Sequence, residues 1–188
     1  MLLAGFCFFT HARPAPLVSI DTHDAFFNAI AKHCGQAFLG KVIVDTAPSA
    51  AFDAPLVMHV RVCNQRQLQV PFHVGDDASR TWLITKTGSG LNLKHDHRKA
   101  DGSDDQLTMY GGHTVDAGSK TTQAFPADVY SKQLFIKLGY DASVGNTWEM
   151  SINDNTFVYR LVRENREFAV SFDLSQAINL PVVPWGYE

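Results

Sequence analysis

No apolar run in the 188-residue sequence reaches the roughly 20 residues that a membrane-spanning helix needs. Positive charge is not in excess either. Sixteen Lys and Arg stand against 19 Asp and Glu, a net charge of -3, so nothing general draws nucleic acid or an acidic lipid surface to this chain. Internal repeats, linkers and low-complexity tracts are missing, which leaves one domain as the expectation. Cysteine is scarce, at three residues. With 45% hydrophobic and 19% charged residues, the composition supports a core and excludes a disordered chain.

Cys7 lies in the apolar run from Leu2 to Phe9, which small residues and prolines follow from Ala12 to Pro16. This order is that of a secretory signal peptide, here residues 1–18, although no Lys or Arg precedes the run and no A-x-A cleavage site appears. Phe6 before Cys7 breaks a lipobox pattern. The reading predicts a periplasmic or secreted domain over 19–188 with no transmembrane segment. Cys34 and Cys63 then remain, either paired in an oxidising compartment or free as small buried hydrophobes.

Between Asp21 and Cys34, the residues Phe26, Phe27, Ile30, Ala31 and Cys34 form one apolar stripe at helical spacing. An amphipathic helix is expected there, capped by Asp21 or Thr22 and ended by Gly35. Short runs rich in Val, Ile, Thr and aromatics follow at 37–45, 55–63, 67–75, 80–87, 90–97, 106–112, 147–154, 156–163 and 167–174. Gly88 and Ser89 suit a tight turn between two of them. A second short helix near 127–138 is expected from Tyr130, Leu134 and Leu138, with Pro126 before it and Gly139 after. About nine strands and two helices predict a mainly β fold, a single antiparallel β-barrel or two-sheet sandwich of lipocalin-like or jelly-roll-like kind, because closure removes exposed edges.

Of the seven histidines beyond residue 18, His73, His95, His97 and His113 fall within one short window. Period two places Leu91, Leu93, His95 and His97 on one strand face, and Asn92, Lys94, Asp96 and Arg98 on the other. If the leucines face inward, the imidazoles continue the inner row toward the strand end. His95 and His97 could then ligate a divalent transition metal (Zn, Mn or Fe) with His113 as third donor, or bind a small polar ligand with His73, Asp77, Arg80, Asp101 and Tyr110. Arg80 can pair with Asp77 or offer its fork to a carboxylate or phosphate. The segment from Asp101 to Asp105 could hold a hard cation or be a solvated acidic turn.

The stretch "GLNLKHDHRKAD" resembles in part the first motif of the cupin family, which implies metal ligation by His95, His97 and Asp101. Asp101 stands where cupins carry glutamate, and no second motif follows. The blocks "HVRVC", "PFHVGDDASRTW", "KHDHRKADGSDDQLTMYGG" and "FPADVYSKQLF" resemble those of an uncharacterised family of exported bacterial proteins. That resemblance implies export and no particular activity.

Three functions remain open at this point. The first is an exported β-barrel binding a small polar ligand or a metal near one rim. The second is a metal-dependent hydrolase or oxidative enzyme built on the same cluster, with Asp77 or Asp101 as base. The third is an envelope interaction protein whose polar cluster is structural.

Overall fold

The computed structural model describes residues 20–188; the expected signal peptide, residues 1–18, lies outside them. Eleven strands form one antiparallel sheet: β1 Ala37–Asp45, β2 Leu56–His59, β3 Val62–Cys63, β4 Gln67–Val74, β5 Asp77–Thr87, β6 Gly90–His97, β7 Tyr110–His113, β8 Thr122–Pro126, β9 Thr147–Ile152, β10 Thr156–Arg163 and β11 Arg166–Ile178. The order is β7-β6-β5-β4-β2-β1-β11-β10-β9-β8, with β3 paired to β4. The two ends of this path meet. Gly112 bridges Ala127, and the Asp128 N–H donates to the Gly111 carbonyl at 3.0 Å, so the sheet is nearly closed into a barrel.

Strand number is the main correction to the sequence reading. The run expected over 55–63 splits into β2 and β3, and β8 has too few apolar residues, and a proline at its end, to stand out as a strand. Strand β7 is also shorter than the run expected over 106–112. The tight β5–β6 hairpin is as expected, with Thr87 opposite Gly90.

Both expected helices are present, α1 at Asp21–Ala31 and α2 at Val129–Lys137. Their N-termini differ from expectation. Ile20 occupies the α1 N-cap with no side-chain cap, whereas Asp128 caps α2 by accepting from the Ser131 N–H. Helix α1 buries Phe26, Phe27 and Ile30 in the common core. Asp24 pairs with Lys86 at 2.6 Å and His23 Nε2 lies 3.0 Å from the Asp116 carbonyl, which fixes the helix at the barrel end near the β5–β6 turn.

Cys34 and Cys63 form a disulfide with Cα atoms 6.1 Å apart, joining the segment after α1 to β3. It closes a loop spanning 29 residues. Replacing both cysteines by alanine is expected to cost about 3 kcal/mol, read as a lower urea midpoint, because the unfolded chain regains loop entropy. Reducing agent should lower the midpoint of the native protein equally and leave the double variant unchanged.

The inner rows of β5, β6, β10 and β11 share a gradient. Along β5 the row runs Ile84, Trp82, Arg80; along β6, Leu91, Leu93, His95, His97; along β10, Phe157, Tyr159, Leu161, Arg163; along β11, Phe172, Val170, Phe168, Arg166. Each begins among fully buried apolar side chains and ends in a cation or an imidazole. One barrel end is therefore apolar and stoppered by α1, and the other is polar.

The C-terminal segment crosses the outer face. The Trp185 N–H donates to the Ala78 carbonyl at 3.1 Å, and the Tyr187 hydroxyl donates to Asp96 at 2.5 Å. Asp96 also takes Arg98 Nε at 2.9 Å and the Thr108 hydroxyl at 3.1 Å. The expected outer row of Lys94, Asp96 and Arg98 is thus structural, and Asp96 is buried in it rather than solvated.

Candidate functional site

At the polar end the barrel holds a cavity of about 230 Å³. Its walls are aromatic because the inner rows of seven strands place rings at the same level: Phe72, Trp82, His95, Tyr110, Trp148, Tyr159 and Phe168. Trp82 stacks between Phe72 and Tyr159, with centroids 5.1 and 4.6 Å away. On the other side His95 stacks on Tyr110 at 4.6 Å, and Trp148 lies 5.6 Å from Tyr110. Phe168 and Phe52 close a third side, 4.5 Å apart. The rim carries Arg80, Arg163, Arg166, His97, Ser143 and Asn146, and among the described residues no carboxylate lines the cavity.

The hydrogen bonds of His95 define its tautomer. Its Nδ1 lies 3.2 Å from the Tyr110 carbonyl, which can only accept, so Nδ1 carries the proton. Nε2 lies 2.9 Å from the Tyr159 hydroxyl and accepts from it. Burial, then the neighbouring His97, holds the His95 pKa down to about 3, which keeps the ring neutral. Both ring nitrogens are therefore engaged, with no lone pair left for a metal.

His97 is held down to about 4, first by burial and then by the Arg80 guanidinium. Its Nε2 lies 3.2 Å from the Tyr110 hydroxyl. Burial pushes the Tyr110 and Tyr159 phenols well above their ordinary range, so both remain protonated.

The three arginines are held differently. Arg80 pairs with Asp77 at 2.6 Å, and Arg166 pairs with Asp45. Arg163 donates to Asn146 Oδ1 at 3.2 Å and, among the described residues, has no carboxylate partner. Arg163 and Arg166 are also directly opposite one another across β10 and β11.

Of the residues that the sequence singles out, His95, His97, Arg80 and Tyr110 line this cavity. Asp77 stands one step behind, through Arg80. His73 faces outward from β4; it is buried, and among the described residues neither ring nitrogen has a partner. Asp101 sits in an exposed turn, where Oδ1 takes the Ser103 N–H at 2.9 Å and hydroxyl at 2.6 Å. His113 pairs with Asn92 on the outer face, its Nε2 2.7 Å from the Thr87 hydroxyl and its Nδ1 donating to the Thr114 carbonyl.

The expected metal trio is not brought together, because His113 lies opposite Asn92, three residues along β6 from His95, and faces outward. Among the described residues no group of three or more His, Cys, Asp or Glu side chains is placed to hold a metal ion. The sequence reading also omitted Trp82, Trp148, Tyr159, Arg163 and Arg166. Period-two extension of the inner rows from Tyr159 to Arg163, and from Phe172 to Arg166, would have found the two arginines.

Fold and site together define a nearly closed antiparallel β-barrel with an aromatic, cation-rimmed cavity at one mouth. Comparison with protein-family models, curated proteins and solved structures returned no match.

Proposed function

We propose that the protein is an exported β-barrel that binds a small amphipathic ligand in its mouth cavity. The observation that carries this reading is the cavity itself: aromatic rings surround it, a few oriented polar groups reach into it, and it opens at the barrel mouth. Its volume of about 230 Å³ lies below the roughly 300–1,000 Å³ of drug-sized sites, which favours a ligand no larger than a ring with a short side chain. Export belongs to the same proposal and is supported by the Cys34–Cys63 disulfide, a bond that persists mainly in oxidising compartments.

A neutral aromatic amide, 3-phenylpropionamide, tests cavity binding without help from charge. Calorimetry is expected to give about one equivalent bound. Leu161→Trp, which places an indole into the cavity from the wall, is expected to weaken binding at least tenfold while the variant stays folded by circular dichroism. Binding unaffected by that block would place the ligand elsewhere and defeat the proposal.

A further inference from the structure

Building on the cavity reading above, we infer that the ligand is an aromatic monocarboxylate, with its ring among the inner aromatics and its carboxylate on the Arg163 guanidinium. The charge around the mouth is the first ground. Among the described residues three arginines and no carboxylate line the cavity, and Arg80 and Arg166 are answered from outside the lining by Asp77 and Asp45. Arg163 has a neutral amide where the other two have a carboxylate.

Strand register is the second ground. Arg163 and Arg166 are Cα partners across β10 and β11, with both side chains on the inner face. Like charges directly opposite one another destabilise a sheet. Asp45 relieves one member of the pair, and a bound carboxylate would relieve the other. A planar guanidinium also matches a carboxylate through two parallel N–H donors.

The inner walls supply the third ground. Below the rim, among the described residues, no cation faces the cavity: His95 is neutral and locked between the Tyr110 carbonyl and the Tyr159 hydroxyl, which donates to it. Trp82, Tyr159 and Trp148 leave room for a flat apolar body and no partner for a second charge. A ligand with one anionic end and one ring fits both halves of the site.

The test compares 3-phenylpropionate with 3-phenylpropionamide, which differ in charge and little in shape, by calorimetry at low salt. The carboxylate is expected to bind at least about tenfold more tightly to the native protein, as a charge-assisted pair implies. Arg163→Gln should bring the two affinities to within about threefold, chiefly by weakening the carboxylate, with the variant shown to be folded by circular dichroism. Arg163→Lys, which keeps the charge and loses the fork, should retain part of the preference. Equal affinities in the native protein, or a preference that survives in R163Q, would overturn the carboxylate assignment and leave the cavity reading intact. If neither compound binds, both readings fall.

Discussion

Acidification from pH 7 to pH 4 is expected to cost the barrel roughly 5 kcal/mol, enough to unfold a domain of ordinary stability. His95 and His97 supply most of this. Their folded-state pKa values, about 3 and about 4, lie below the reference value of 6.5. Between those values and 6.5 the unfolded chain binds more protons than the folded one, so stability falls as pH falls. The contribution is fully present above pH 6.5 and is lost progressively toward the folded values, at up to roughly 1.4 kcal/mol per histidine per pH unit.

His59 and His73 act in the same direction. Burial lowers both, aided by Arg61 at His59 and by His59 at His73, and three of their ring nitrogens have no partner among the described residues. Urea unfolding at pH 7, 5.5 and 4 measures the combined slope. His95→Gln should be less stable at pH 7 and show a shallower slope. An identical slope in H95Q and the native protein would mean that His95 is not the source of the acid sensitivity.

The second large effect is expected at the barrel seam. Strand β7 lies between β6 and the end of β8 at a separation that glycine alone permits. A Cβ on Gly111 would stand 1.9 Å from the Leu93 carbonyl oxygen, and one on Gly112 would stand 2.0 Å from that of Pro126. Both obstacles are backbone atoms, so no side chain can rotate away. The seam must open instead, breaking the Gly112–Ala127 bridge and the bond from the Asp128 N–H to Gly111. Helix α2 would be disturbed with it, because Ser131 Oγ accepts from the Gly111 N–H at 2.7 Å and Asp128 holds Lys94 at 2.5 Å.

Either Gly111→Ala or Gly112→Ala should therefore lose about 4 kcal/mol or more, placing it among the most damaging single substitutions. Gly145→Ala serves as control, since a Cβ there meets nothing within 4 Å, and should stay within about 0.5 kcal/mol of the native protein. Amide exchange at Ala127 and Asp128 separates local opening from global loss. Protection at those amides that is unchanged in G112A would show that the seam does not depend on glycine.

Much of this architecture can be read from local pattern. Three strands, β1, β6 and β10, have the bounds that alternation predicts, since one buried face imposes period two on the chain. Gly139 marks the end of α2, directly after the C-cap Leu138 and with a positive φ of 77°, whereas α1 already ends at Ala31 and Gly35, at φ 80°, closes the turn that follows it. The inner row of Leu91, Leu93, His95 and His97 is legible for the same reason, and it led to the cavity wall.

Spacing says nothing about which strands become neighbours, and there the expectations were incomplete. His73, Asp101 and His113 carry suitable chemistry, but the register turns His73 and His113 outward and leaves Asp101 in an exposed turn. Arg163 and Arg166 lie at the β10–β11 turn, far along the chain from the histidine cluster, and barrel closure alone brings them to the same mouth. Composition and periodicity were sufficient for a mainly β domain with two helices and for the inward direction of His95 and His97. The completed site depended on closure and register, because sidedness is set residue by residue along a strand whereas proximity depends on pairings between segments distant in the chain.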